Sequence, residues 1–166
     1  TARAGNVIGG GDMSNDRLIP DYFRALMKNE KIILRNPGAT RPWQHVVEPL
    51  AGYLKLAEML SLKDGHKYVG PWNFGPSGDT TAVDDVISLL SRITGGKTYK
   101  LDAAAKSPEA QSLIIDSAKA REYLGWRSKL NVSQALKLTF DWFQNARDGS
   151  DMQQFTKSQI FAYEKS

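Results

Sequence analysis

Glycine, proline and asparagine interrupt this chain so often that no strand in it can be long. Gly9-Gly10-Gly11-Asp12, Asn36-Pro37-Gly38, Gly75-Pro76 and Gly95-Gly96 each break the backbone, since glycine reaches left-handed angles and proline withholds an N–H. Between the breaks lie short, partly apolar runs: Ala2 to Ile8, Lys31 to Arg35, Arg41 to Val46, Trp72 to Phe74, Tyr99 to Leu101 and Leu113 to Ile115. Longer segments carry a helical period. Leu18, Ile19, Tyr22, Phe23, Leu26 and Met27 form one stripe within Arg17 to Asn29, which predicts a helix there. Asp16 is its expected N-cap, and Pro20 falls in the first turn, where a missing N–H costs little. Further helices are expected from Pro49 to Leu62, from Val83 to Ile93 (capped by Thr81, stopped by Gly95), from Ser117 to Leu124, from Val132 to Ala146, and in the tail after Asp148. Ala103 to Ser112 reads as a loop.

Short strands among longer helices make the fold class mixed α/β. The strands are too few and brief for a complete doubly wound sheet. Residues 1–166 are therefore expected to form one small lobe that packs on a larger partner. The opening run has nothing upstream to pair with, and a lone strand leaves its backbone groups unsatisfied. The chain is accordingly expected to be cut from a longer protein, its first strand belonging to a sheet that continues upstream.

Composition narrows the function classes. The absence of cysteine excludes disulfides, thiolate catalysis and Cys-ligated zinc, and it fits a reducing, cytoplasmic setting. No apolar run approaches the roughly 20 residues that span a bilayer, so no membrane partner is expected. The net charge of +4 is spread along the chain, so nucleic acid is not expected either. A diphosphate pocket needs only one or two arginines.

Catalytic patterns are missing. No tyrosine is followed four residues later by a lysine, and no strand leads into Gly-x-Gly-x-x-Gly and a helix. Gly9-Gly10-Gly11 reads as a turn. His45 and His66 are too few and too far apart for a metal site. His66, beside Asp64-Gly65, reads as solvated, and His45 as a hydrogen-bonded histidine among apolar neighbours. No catalytic or metal-binding residue is expected.

Three polar positions stand out. Arg41 follows a Pro-Gly turn and precedes a rigid Pro-Trp. It is either a guanidinium fork held ready for a diphosphate or a surface arginine covering Trp43. Asn6 lies near the carboxyl end of the first strand, where open α/β sheets bind ligands; it is either a ligand contact or a turn former. Arg35 ends the Ile32-Ile33-Leu34 run and can stack on a nucleobase or simply reach solvent.

Taken together, Arg3-Ala4-Gly5-Asn6-Val7-Ile8-Gly9-Gly10-Gly11-Asp12, Asp16-Arg17-Leu18-Ile19-Pro20-Asp21, Ile33-Leu34-Arg35-Asn36-Pro37 and Arg41-Pro42-Trp43-Gln44-His45-Val46 resemble the extended short-chain dehydrogenase/reductase family. Within it they resemble the CDP-glucose 4,6-dehydratases. Trp72-Asn73-Phe74-Gly75-Pro76 and Ala120-Arg121-Glu122-Tyr123-Leu124-Gly125-Trp126 fit the wider superfamily. The resemblance implies the carboxy-terminal, substrate-binding lobe of a Rossmann-type enzyme whose amino-terminal domain holds NAD and supplies the catalytic tyrosine and lysine. It implies a lyase that converts CDP-glucose to CDP-4-keto-6-deoxyglucose for deoxysugars of lipopolysaccharide, and a homodimer formed through helices of the amino-terminal domain. By the same resemblance Asn6 lies beside the sugar and diphosphate, Leu18 and Ile19 wall the nucleotide pocket, Arg35 flanks the base, Arg41 grips the diphosphate and Asn73 lines the nucleotide end. One departure is visible. Relatives place a second phosphate-binding arginine just before the run Leu113 to Asp116, where this chain has Pro108-Glu109-Ala110-Gln111-Ser112. Lys106 or Gln111 could substitute, or binding could rest more on Arg41. On this reading the chain is not catalytic alone. The alternatives are part of a nucleotide-sugar epimerase or decarboxylase, or a non-catalytic nucleotide-sugar binding module.

Overall fold

Where glycine and proline break the chain, the strands are indeed two or three residues long. A computed structural model describes residues 1–78, 80–97, 99–102 and 110–166. Strands β1 (Ala2–Ala4) and β2 (Asn6–Ile8) come first, then helix α1 (Leu18–Met27) and β3 (Ile32–Leu34). Next come β4 (Thr40–Arg41), β5 (Trp43–His45), α2 (Val47–Ser61), a 3-10 turn (Gly65–Tyr68) and β6 (Trp72–Phe74). Strand β7 (Thr81–Ala82) leads into α3 (Val83–Thr94), followed by β8 (Tyr99–Leu101), α4 (Ala118–Leu124), α5 (Val132–Arg147) and α6 (Met152–Glu164).

The strands associate in pairs. β1 runs parallel to β6, β2 to β5 and β3 to β8, while β4 and β7 are antiparallel. The opening run is thus two strands, each paired along one edge with a strand further down the chain. Gly5 divides them because the backbone passes against Pro42 there: a Cβ on Gly5 would lie 2.7 Å from the Pro42 carbonyl oxygen. Gly10 has a similar reason, since its Cβ would meet Trp142 of α5 at 2.0 Å. The glycine turn is where α5 comes closest to the end of β2.

Two apolar clusters result. Ile8, Tyr22, Phe23, Leu34, Trp43, Ile87, Leu90 and Leu136 join α1, α3 and α5 to the strands. Leu56, Trp72, Phe74, Ala120, Leu124 and Trp126 join α2, α4 and β6. Glu48, fully buried in the first turn of α2, ties distant segments together. Its Oε1 accepts from the backbone N–H groups of Lys129 (2.8 Å) and Leu130 (2.6 Å), and its Oε2 accepts from the Tyr163 hydroxyl of α6 (2.6 Å).

Several expectations need correction. Asp16 is not a cap: it sits at φ 58°, Arg17 takes the N-cap position, and no side chain caps α1. Thr81 does not cap α3 either, because it belongs to β7 and Ala82 stands at the cap. Helix α2 begins at Val47, which leaves Pro49 inside its first turn, where proline is still harmless. The run Leu113 to Ile115 forms no strand; pairing there shrinks to a single bridge between Thr40 and Ser112. The loop expected from Ala103 lies outside the described residues as far as 109, and so does Lys106. Gly95 and Gly125 end α3 and α4 in left-handed conformation at φ 67° and 62°, as their sequence positions suggest.

Candidate functional site

The carboxyl ends of β2 and β3, the start of α1 and the strand β4 converge on one cavity of about 690 Å³. This volume falls within the range of small-molecule sites. Asn6, Leu18, Ile19, Arg35 and Arg41 all line it. They come from four separate segments within the first 41 residues, and each owes its place to local structure. Asn6 opens β2 and pairs in register with Trp43. Leu18 and Ile19 form the first turn of α1, with Ile19 buried against the core. Strand β3 alternates, burying Ile32 and Leu34 and exposing Ile33. The period of two therefore carries Arg35 to the same side as Ile33.

Arg41 is held by its own backbone pairing with Thr81 across β4 and β7. Its guanidinium Nη1 donates to the Thr40 carbonyl at 2.9 Å, and Trp43, also on the cavity wall, is fixed by its indole N–H to the Thr81 carbonyl at 3.1 Å. Asn73 stands apart from this group. It lies on β6 in register with Arg3, and its side-chain amide donates to the Asp116 carbonyl at 3.3 Å.

The lining is charged in both senses. Asp12, Asp16 and Asp21 face Arg17, Arg35 and Arg41 within it. Arg17 lies 3.7 Å from Asp12 and Arg35 lies 3.8 Å from Asp16, all with substantial solvent access. Exposed pairs of this kind contribute about 0–1 kcal/mol, so an anion can exchange for the carboxylate at little cost. Partial burial alone would push the Asp12 carboxyl up. Hydrogen bonds from Ser14 and the charges of Arg17 and Arg24 outweigh that and hold it below its ordinary value. Asp12 is therefore a standing anion that leaves room for a guanidinium partner, not a proton donor.

Arg17, Ile33 and Asp12 were not singled out as ligand contacts from sequence. Arg17 and Ile33 could have been, because each is adjacent to a residue that was. Gln111 does not line the cavity: its side-chain amide is spent on the Asn36–Gly38 turn. Among the described residues no group of His, Asp or Glu is arranged to hold a metal, and no helix is long and apolar enough to cross a membrane. The glycine turn at Gly9-Gly10-Gly11 backs onto Trp142 through Gly10, while Gly9 lines the cavity.

No protein-family model matches the chain. It is 39% identical over 165 residues to the CDP-glucose 4,6-dehydratase of Salmonella typhimurium, an alignment that covers 98% of this chain and 46% of that protein. The chain thus spans about half the length of this curated relative. A UDP-glucose 4-epimerase from Thermotoga maritima, solved with UDP-glucose, superposes with a TM-score of 0.73 at 24% identity over 87% of this chain and 45% of its own. A UDP-glucuronic acid 4-epimerase from Bacillus cereus, solved with UDP-glucuronic acid and NAD, gives the same TM-score at 18% identity, with the same coverage. These likenesses establish the fold as that of extended short-chain dehydrogenase/reductases, over somewhat under half of their chains.

Proposed function

We propose that this chain, with the fold of the extended short-chain dehydrogenase/reductases and close sequence similarity to a CDP-glucose 4,6-dehydratase, is the nucleotide-sugar-binding part of such a dehydratase. The observation that carries the reading is the cavity that gathers Asn6, Leu18, Ile19, Arg35 and Arg41 from separate segments. In the bound state Arg41 grips the diphosphate, because a planar guanidinium matches paired phosphate oxygens better than an ammonium does. Ile33 and Arg35 flank the cytosine, Leu18 and Ile19 wall the nucleotide, and Asn6 faces the sugar and diphosphate with both a donor and an acceptor. The role of Asn73 would be at the nucleotide end of a longer site.

The residues of this chain bind and orient. NAD and the proton-transferring pair would belong to an amino-terminal domain, and no step of the conversion to CDP-4-keto-6-deoxyglucose is assigned to side chains present here. Helix α2 supports a docked partner: Leu50 and Leu54, one turn apart, are 49% and 72% exposed. The setting is cytoplasmic, and the product feeds deoxysugar synthesis. An epimerase is the second reading, favoured by the epimerases among the structural neighbours. The two differ in product, a 4-keto-6-deoxy sugar against an epimer, and assay of the full-length protein with CDP-glucose separates them.

The binding claim has a direct test. Amide NMR spectra of the chain are titrated with CDP-glucose, using dTDP-glucose and UDP-glucose as controls. Selective shifts around the cavity with CDP-glucose are expected, together with shifts near Leu50 and Leu54 on adding the amino-terminal domain. Arg41→Ala should weaken CDP-glucose binding by about 1.5–3 kcal/mol, the scale of a hydrogen bond to a charged group. Unchanged affinity in that variant would return Arg41 to the surface, and no response to any nucleotide sugar would remove the pocket from this chain.

A further inference from the structure

Arg35 and Arg41 are the two ends of one loop, and what holds that loop sets the distance between them. One side of it is pinned to the start of α3: the backbone N–H of Val83 donates to the Ala39 carbonyl at 3.0 Å and that of Asp84 to the Pro37 carbonyl at 3.0 Å. Ala39 between them is fully buried. The other side is held by Gln111, which uses three separate groups. Its side-chain Nε2 donates to the Gly38 carbonyl at 2.9 Å, its Oε1 accepts from the Asn36 side-chain amide at 3.3 Å, and its backbone carbonyl accepts from the Thr40 N–H at 2.9 Å. The next residues extend the contact, with the Leu113 N–H on the Thr40 carbonyl at 3.2 Å and the Thr40 hydroxyl bonded to Ser112 at 2.9 Å.

We infer that Gln111 is a positioning residue for nucleotide-sugar binding: it clamps the Asn36–Thr40 turn and so fixes Arg41 and Arg35 relative to each other. The inference rests on the diphosphate role proposed for Arg41. An amide can satisfy a carbonyl and an amide donor at once, which a guanidinium, with donors only, cannot. The three hydrogen bonds of Gln111 thereby fix the separation between Arg35 and Arg41 at the two ends of the turn. Ligand affinity depends on such preorganisation, because a flexible loop must lose entropy on binding.

The test is a double-mutant cycle in the full-length enzyme, read by calorimetric titration with CDP and by steady-state kinetics with CDP-glucose. Gln111→Ala alone should weaken CDP binding by about three- to tenfold, raising KM with kcat unchanged, as loss of uniform binding does. In the Arg41→Ala background the same substitution should cost clearly less, because only the placement of Arg35 is then left to lose. Equal losses in both backgrounds, or a kcat that falls with KM held, would mean that Gln111 only supports the fold. No loss in either background would mean that the turn holds itself. If Arg41→Ala binds CDP as tightly as the parent, the diphosphate reading fails first, and the clamp's functional role fails with it.

Discussion

His45 illustrates what burial does to a single side chain. It closes β5 and is 5% exposed. Its Nδ1 accepts from the Val47 N–H at 3.4 Å, so in the neutral ring the proton sits on Nε2, which has no partner among the described residues. Loss of solvent with no carboxylate nearby lowers its pKa from 6.5 to about 4. The unfolded chain therefore takes up a proton below pH 6.5 that the folded chain refuses until about pH 4. Stability is fully present above 6.5 and falls as the pH drops through that window, by about 3 kcal/mol in all. Urea unfolding at a series of pH values should show that slope, and His45→Phe should flatten the part between pH 6.5 and 5, where few carboxylates titrate. A parent with no slope there would mean that His45 is solvated. The sequence reading of a hydrogen-bonded histidine captured one ring nitrogen and missed the other, because only the tertiary packing decides that Nε2 faces no acceptor.

At the scale of elements, the helices separate into those with caps and those without. Helix α5 has a full capping box: the Asn131 side chain accepts from the Gln134 N–H at 2.9 Å, and the Gln134 side chain accepts from the Asn131 N–H at 2.9 Å. Asn131→Ala removes the first of these, and the expected cost is about 1 kcal/mol, read as a shift in the urea midpoint without a change in slope. Asp16→Gly, which keeps the left-handed backbone without strain, should leave the midpoint unlowered, since that residue lies outside α1 and caps nothing. A comparable loss at both positions would refute the assignment of caps. Apolar period made helices and strands legible as elements, and Gly95 and Gly125 marked two helix ends correctly. Caps were less legible, because Asp16 and Thr81 have the right chemistry and the wrong backbone. Pairing was not legible at all: nothing in Ala2 to Ile8 says that Gly5 must yield to Pro42 and divide the run between two partners. For the cavity, turn chemistry and strand period singled out Arg41 and Arg35 but left each between ligand contact and surface charge. Gln111 stood out only as a stand-in for an arginine, and its hold on the turn was not legible, since its partners lie more than seventy residues back in the chain.

The chain's last helix is joined to its middle by one carboxylate. Glu48 stands in the first turn of α2, where an acid is favoured near a helix N-terminus. In the fold it is fully buried and its oxygens collect the turn before α5 and the hydroxyl of Tyr163. Burial and the Glu48 charge both push the Tyr163 hydroxyl well above its ordinary pKa, so it remains a donor at any physiological pH. Lys129 completes the arrangement, with its ammonium 4.8 Å from the Tyr163 ring centroid and 3.2 Å from the Tyr163 carbonyl. Helix α6 thereby braces α5, and α5 lies against β2 and β5 beneath the cavity through Trp142 and Gly10. Tyr163→Phe keeps the ring and its apolar contacts but leaves Glu48 Oε2 buried without its donor. An unsatisfied buried group of this kind costs about 1–3 kcal/mol, more when charged, so the melting point should fall. If the brace matters only for stability, CDP-glucose affinity measured well below the melting point should be unchanged, because α6 contributes no residue to the cavity wall. A melting point equal to the parent's would mean that water or another donor replaces the hydroxyl at Glu48. A fall in affinity at full foldedness would mean that the position of α5 is transmitted through the glycine turn to Asn6.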